Sequence, residues 1–201
     1  MRARIAATLG LVTILLACQD NTATFAPDEA SAARSPAGPS FSTASQIAQL
    51  RRLVAPFHDF ETAKAAGWNA AITPCWTTAD LPSQPGVGAM GFHWGNLDYI
   101  LDGGAVNLLQ PELLMYEPEK NGKLRFVGVE YIVLFSDHPA TAAPPTLLGQ
   151  EFSPVPEAGV WGLHIWVGRQ NQSGIFSPWN TKVSCQYAGA QATATGHNHG
   201  R

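Results

Sequence analysis

The chain has few charged residues and none of the common short catalytic or binding motifs, and each absence excludes a class of protein. Asp, Glu, Lys and Arg make up 13% of the 201 residues, and the net charge is −3. A chain with so little basic character lacks the electrostatic footprint of a nucleic-acid-binding protein. Phosphate-binding glycine loops, Gly-x-Ser-x-Gly elbows and EF-hand loops are also missing. The sequence therefore indicates a globular domain without a short catalytic motif.

The N-terminal segment carries the clearest local signal. Arg2 and Arg4 precede an apolar run from Ile5 to Ala17, which is too short to span a bilayer. The run ends in Leu15-Leu16-Ala17-Cys18, which resembles the lipobox of bacterial lipoproteins. The resemblance implies cleavage before Cys18, lipidation of its thiol, and a stable anchor of several acyl chains such as palmitate. An ordinary cleaved signal peptide is the alternative.

The three cysteines have different expected roles, one as a lipidation site and two as a pair. If Cys18 is lipidated, Cys75 and Cys185 remain as a pair in an exported protein. Exported thiols oxidise, so we predict a disulfide between them that closes a long loop. Two thiolate metal ligands are the alternative, although no Cys-x-x-Cys spacing supports them.

Composition predicts the domain organisation. We expect a signal peptide over 1–17 and a flexible tether over 18–43, which is rich in Ala, Ser, Thr and Pro. A single globular α+β domain is expected over 44–187, followed by a disordered tail over 188–201. The expected location is the bacterial cell envelope, facing the periplasm or the cell surface.

Helical signals come first in the predicted domain. Apolar residues recur there at helical spacing, namely Ile47, Leu50, Val54 and Phe57. Pro56 should break or kink this helix, Asp59 can cap a second short helix, and Gly67 suits the residue that ends it.

Strand and turn signals follow. We predict strands at Ala89–Trp94, Leu113–Glu117, Leu124–Phe135 and Gly162–Gly168. Asn121-Gly122 predicts a hairpin between the second and third strands, and the stretch from Asp137 to Glu157 is expected to be a long surface loop. The predicted fold class is α+β, with an N-terminal helical segment packed on a mostly antiparallel sheet that could curl into a half-barrel.

Glu130 is anomalous because its strand is apolar on both faces. By strand periodicity it shares a face with Ile132 and Leu134, whereas Val127 and Val129 lie on the other. A strand of this kind is usually covered on both sides. A buried carboxylate without a partner would be strongly disfavoured, so Glu130 needs a proton donor or a cation nearby.

Two histidines occupy similar apolar strands. His93 lies between Phe92 and Trp94, and His164 alternates with Leu163 and Ile165. With Glu130, and with Glu117 as a fourth ligand or a base, they could hold Zn²⁺ or another divalent ion. A hydrogen-bonded His–Glu network without metal, or unrelated placement of these residues, would also account for the pattern.

Tryptophans near the predicted site elements suggest a ligand-binding face. Trp94, Trp166 and Trp179 could line an apolar pocket or stack on a sugar ring. Packing in the core is the simpler interpretation.

Several runs of the domain together resemble a set of exported bacterial proteins for which no activity is established. The runs are Phe57–Asp59, Ala65–Trp68, Gly88–Asn96, Pro111–Pro118, Gly128–Tyr131, Leu163–Trp166, Gly174–Asn180 and Val183–Cys185. The chain departs from that set at Gln170-Asn171-Gln172, where His-Asn-Pro is common, and at Trp94, where Tyr is usual. The resemblance implies a domain type and export, and no reaction.

Two functional hypotheses follow from the sequence. The first is a lipid-anchored envelope protein that binds a divalent metal through His93, Glu130, His164 and Glu117. The second is a binding or envelope-interaction module without catalysis, with a tryptophan-lined face for a small molecule and a purely structural His–Glu network. Both have the membrane as a partner through the lipid anchor, and neither involves nucleic acid.

Overall fold

The computed structural model describes residues 42–189. The predicted signal peptide, Cys18, nearly all of the predicted tether and residues 190–201 of the predicted tail lie outside the described residues.

Helices open the described region, as the sequence predicts. Helix α1 spans Thr43–Val54 and is capped by the Ser42 side chain; a short 3-10 helix, Ala55–His58, and helix α2, Phe60–Ala65, follow it. The Asp59 carboxylate caps α2 by accepting from the Thr62 backbone N–H at 2.7 Å. Gly67 ends the unit with φ of 111°, a conformation that favours glycine.

A six-stranded antiparallel sheet, a two-stranded ribbon and a one-turn helix α3, Leu97–Ile100, form the rest of the framework. The strands are β1 Trp68–Thr77, β2 Ala89–Asn96, β3 Leu113–Pro118, β4 Leu124–Leu134, β5 Thr146–Leu147, β6 Gln150–Glu151, β7 Ser153–Val155 and β8 Val160–Ile165. The strand order in the sheet is β1-β2-β3-β4-β8-β7, and β5 pairs with β6 in the ribbon. The fold is therefore α+β with an N-terminal helical layer, as predicted. The half-barrel is not confirmed.

Three strand predictions need correction. Strand β1 was not predicted, because Pro74 interrupts its pattern; proline is tolerated here since β1 is an edge strand. The predicted strand Gly162–Gly168 in fact begins at Val160 and ends at Ile165. The expected long loop contains the short strands β5, β6 and β7, which are too brief to give a periodic signal.

The sheet has two differently covered faces. On the first, called the helix face, α1 residues such as Leu50 pack with Tyr116 and Tyr131. The second, called the site face, carries apolar residues such as Leu113 and Ile132. Val127 was expected beside Val129 on the helix face, and this prediction is wrong. The register shift after Met115 moves Val127 to the site face, where it packs with Met115 and Trp166.

The C-terminal segment covers part of the site face and is tied to β1 by a covalent bond. Cys75 and Cys185 form the predicted disulfide, with Cα atoms 5.6 Å apart. Asn180 pairs with Ala89 by backbone hydrogen bonds, and the Trp179 indole donates to the Gln84 carbonyl at 2.7 Å. A disulfide is compatible with export. Over residues 42–189, no helix combines the length and apolar character needed to cross a membrane.

A buried carboxylate that was not predicted from the sequence supplies a hydrogen-bond acceptor to β4 just before the start of β3. Glu112 is 2% exposed, and its Oε2 accepts from the backbone N–H of Ile132 at 3.2 Å. Strand β3 begins only at Leu113, so the Glu112 side chain supplies an acceptor that a longer strand would have given. Burial raises the pKa of Glu112 to about 8.

Candidate metal centre

Three strands place His93, Glu130 and His164 together on the site face. Glu130 on β4 and His164 on β8 are direct partners in the antiparallel ladder, and Glu130 Oε1 lies 3.7 Å from His164 Nε2. His93 comes from β2 and reaches across β3, so that its Nε2 lies 3.2 Å from Glu130 Oε2. One ligand atom from each residue lies within 4.8 Å of the others. The convergence expected from three apolar strands is thus present.

The group is buried and carries unsatisfied nitrogen atoms. His93 is 1% exposed, His164 6% and Glu130 7%. In the described part of the chain, the Nε2 atoms of His93 and His164 have no aligned hydrogen-bond partner. Buried polar atoms are rarely left in this state, and such exceptions point to an ion, a water or a functional role.

Burial sets the protonation of the group without metal. It lowers the pKa of His93 to about 4, and lowers the pKa of His164 well below its usual range with a smaller contribution from His93. Burial also raises the pKa of Glu130 to about 8. At neutral pH both imidazoles are therefore uncharged, which is the form that binds metals, and Glu130 holds a proton that a metal would displace.

A threonine on the unpredicted strand β1 orients one of the imidazoles. Thr73 Oγ1 lies 2.7 Å from His93 Nδ1, in hydrogen-bond contact. When Nδ1 is protonated and donates a hydrogen bond to Thr73 Oγ1, Nε2 carries a lone pair that faces Glu130. Ligating histidines usually make a contact of this kind through their other nitrogen.

Gly162 provides the space for the carboxylate. It lies on β8, and a Cβ atom built at this position would meet Glu130 Oε1 at 2.7 Å. That separation is too short for a real contact, so any side chain here would displace the carboxylate from its present position.

Glu117, the predicted fourth ligand, does not belong to this group. It lies on β3 opposite Arg125, and its Oε1 accepts from the Ser184 backbone N–H at 3.0 Å. Its Oε2 lies 3.5 Å from Arg169 Nη1. Glu117 therefore links the C-terminal segment to β3, and the three-residue group stands without it.

The three predicted ligand-binding tryptophans do not form one face. Trp94 packs against Phe60 on the helix face, with ring centroids 4.7 Å apart. Trp179 is buried in the apolar cluster of the site face, and Trp166 stacks on the His164 ring. Strand alternation separates Trp94 from the others, because it follows His93 directly. A fourth tryptophan, Trp76, lines the cavity described next.

A cavity of about 240 Å³ adjoins the group on the site face. Glu130, His164 and Thr73 contribute to its wall, and most of the remaining wall is apolar, including Ile72 and Leu113. The wall also contains exposed residues, so the cavity communicates with solvent. The candidate ligands are therefore accessible from a small apolar chamber.

The geometry is close to that of a three-ligand metal site. Zinc–ligand distances are about 2.0–2.2 Å, which keeps ligand atoms of one ion roughly 3–3.5 Å apart. Glu130 is 3.2 Å from His93 through Oε2 and 3.7 Å from His164 through Oε1, and the ligand atoms lie within 4.8 Å of one another, so the side chains would have to draw together to share one ion. Two histidines with one carboxylate are a ligand set known for both zinc hydrolases and iron oxygenases.

Comparisons of the chain with protein family models, with curated proteins and with solved structures give no match. The function is therefore inferred from the chemistry of the site itself.

Proposed function

We propose that this protein binds a divalent transition-metal ion through His93, Glu130 and His164. The single observation that carries the proposal is a pair of buried Nε2 atoms without hydrogen-bond partners beside one buried carboxylate. A metal ion satisfies all three groups at once. It also keeps Glu130 ionised in a place where burial alone would protonate it.

Zinc and ferrous iron are the ions that this ligand set favours. Structural zinc sites usually have four protein ligands, whereas catalytic sites have three and leave a position for water or substrate. The number of ligands in the group, which is three, and the cavity beside them support the second type. We therefore place the protein among candidates for metal-dependent enzymes, with the reacting group bound on the cavity side of the ion.

The proposal includes a location. The Cys75–Cys185 disulfide is compatible with an oxidising compartment outside the cytoplasm. Together with the lipobox-like Leu15–Cys18, it supports a protein anchored in the bacterial envelope through lipidated Cys18. The metal-binding domain would then face the periplasm or the cell surface.

Metal content is the direct test. Residues 42–189, purified with the disulfide intact, should bind about one Zn²⁺ per chain, and the ion should raise the melting temperature. Glu130→Gln should abolish binding, because it keeps the shape of the side chain and removes its charge. Glu117→Gln is the matched control, since it alters a buried carboxylate of the same sheet outside the group, and it should bind zinc normally. A wild-type domain that neither retains nor responds to zinc or iron would overturn the proposal.

A ligand-binding module with a purely structural His–Glu network is the second candidate. It is favoured by one observation: Glu130 Oε2 lies 3.2 Å from His93 Nε2. Because burial raises the pKa of Glu130, its carboxyl group in the protonated form could donate to this nitrogen after a small rotation. In that case the melting temperature of Glu130→Gln should nearly equal that of the wild type, both with and without metal. The same variant therefore separates the two candidates.

A further inference from the structure

The cavity beside the three ligands has a composition that restricts what can bind there. Its wall is predominantly apolar, and most of these residues come from the sheet itself, such as Leu113, Ile132 and Val160. No lysine or arginine is among the described residues that line it, and its two charged wall residues, Glu130 and Glu151, are both acidic. A ligand with a phosphate or several carboxylates would find no cationic side chain in this wall.

Three polar residues of the wall belong to the candidate metal centre or contact it. Glu130 and His164 belong both to the ligand group and to the cavity wall, and Thr73, the partner of His93, lines it as well. An ion held by the three ligands would therefore border the cavity. The other polar residues of the wall are Gln84, Gln150, Glu151 and Ser153, and the rest of the wall is apolar.

The cavity also limits size. An apolar cavity of roughly 150 Å³ can hold benzene, whereas this one measures about 240 Å³. It can therefore accommodate a ring with a short chain attached. Exposed residues such as Leu97, at 50%, and Glu151 also line it, so the cavity opens to solvent and a longer ligand could extend out of it.

We propose that the site takes a small, mainly apolar molecule with a single metal-binding head group, the head on the ion and the apolar part in the cavity. This inference rests on the proposed metal site and adds the class of ligand to it. The head group replaces a solvent ligand of the ion, and the apolar part gains from leaving water.

N-butylimidazole and butylbenzene are a matched pair of probes, because they have similar shapes and differ in the nitrogen donor. Binding is measured by calorimetry to the zinc-loaded and the metal-free domain, at a pH where the imidazole is uncharged. N-butylimidazole should bind the zinc-loaded form at least about tenfold more tightly than the metal-free form. Butylbenzene should bind both forms alike. N-methylimidazole should bind the zinc-loaded form at least about tenfold more weakly than N-butylimidazole, because it buries fewer methylene groups.

A cavity variant supplies the second arm. Leu134 lies at the end of β4, is partly exposed and lines the cavity. Leu134→Trp should reduce the affinity for N-butylimidazole and leave the zinc content at one ion per chain. Zinc content thus reports that the variant is folded, and the affinity reports on the cavity.

The outcomes separate this inference from the proposed function. If the domain binds no metal, the proposed function fails and the head-group inference fails with it, whatever butylbenzene does. If zinc binds but N-butylimidazole shows no preference for the loaded form, only the inference about the ligand is overturned. The same holds if chain length or Leu134→Trp has no effect on affinity.

Discussion

At the scale of single residues, Gly162 determines where the Glu130 carboxylate can lie. An added Cβ would meet Glu130 Oε1 at 2.7 Å, so Gly162→Ala should push the carboxylate away from the two imidazoles. We expect the zinc affinity to fall by about tenfold or more, as for other changes that misplace a ligand. Titration with zinc against a competing chelator measures the effect.

Gly168→Ala is the matched control for this prediction. Its added Cβ would be at least as crowded, at 2.5 Å from a ring atom and 2.8 Å from the backbone oxygen of Phe126, whose side chain packs on the helix face. This variant should lose stability and keep its zinc affinity. Equal zinc affinity in the wild type and in a folded Gly162→Ala variant would contradict the role assigned to Gly162.

Glu112 should make the stability of the metal-free domain depend on pH. Its pKa in the folded protein is raised to about 8 from an ordinary value of 4.5. A raised pKa means that the contribution to stability is fully present below about pH 4.5 and is lost as the pH rises through about 8. Glu130 adds a loss of the same sign, whereas His93 and His164, whose pKa values burial lowers, add a gain in stability as the pH rises to about 6.5.

The variant Glu112→Gln removes the Glu112 titration and keeps an oxygen acceptor for the Ile132 N–H. Urea unfolding at a series of pH values should show a smaller loss of stability than in the wild type between about pH 6.5 and pH 8, above the range in which the histidines titrate. The exposed carboxylate variant Glu151→Gln should reproduce the wild-type profile. A Glu112→Gln profile that parallels the wild type would show that Glu112 does not titrate in this range.

The candidate site was partly predictable at this scale. A carboxylate and two imidazoles in apolar strands have no water to solvate them, so the need for mutual contact could be inferred from Glu130, His93 and His164 alone. The supporting residues could not be inferred. Thr73 lies on a strand whose pattern is broken by proline, and the sequence around a glycine such as Gly162 does not indicate which atom occupies the space beside it.

At the scale of elements, the disulfide fastens the C-terminal segment to β1. It joins residues separated by 110 positions, so its removal should increase the conformational freedom of the unfolded chain considerably. We expect the double variant Cys75→Ala, Cys185→Ala to lose about 2–4 kcal/mol of unfolding free energy, measured by urea unfolding. Reducing agent should destabilise the wild type to a similar extent and leave the double variant unchanged. A reducing agent that destabilises both proteins equally would contradict this.

Long elements with a continuous apolar pattern could be predicted from the sequence, whereas the short strands at the edge of the sheet could not. The β3–β4 hairpin was anticipated because β4 is long and apolar and because Asn121-Gly122 marks its turn; Gly122 has φ of 78°. The connection is longer than two residues, since Glu119 and Lys123 close it by a backbone hydrogen bond. The short strands at the β7 edge depend on contacts made only in the folded sheet, and a local pattern cannot reveal them.

At the scale of the whole molecule, attachment to the membrane is a separate prediction. If Cys18 is the lipidated residue, Cys18→Ala should release the protein into soluble fractions or leave it as an unprocessed precursor. Fractionation of cells followed by mass determination of the N-terminal peptide tests this. Cys75→Ala is the matched control, because it changes a cysteine that forms the disulfide, and it should remain in the membrane fraction. A Cys18→Ala protein that matures and stays in the membrane would refute the anchor.

The metal ligands lie on strands, whereas part of the cavity wall lies outside the sheet, and this difference affects how such a domain can diversify. His93, Glu130 and His164 all project from strands of the central sheet, whereas the cavity wall also includes residues outside that sheet, such as Leu97, Glu151 and Pro178. Insertions and substitutions in these outer segments are tolerated far more readily than changes in the sheet. Selection can therefore change the shape of the cavity while the three metal ligands keep their positions, so that one fold can bind a range of small molecules.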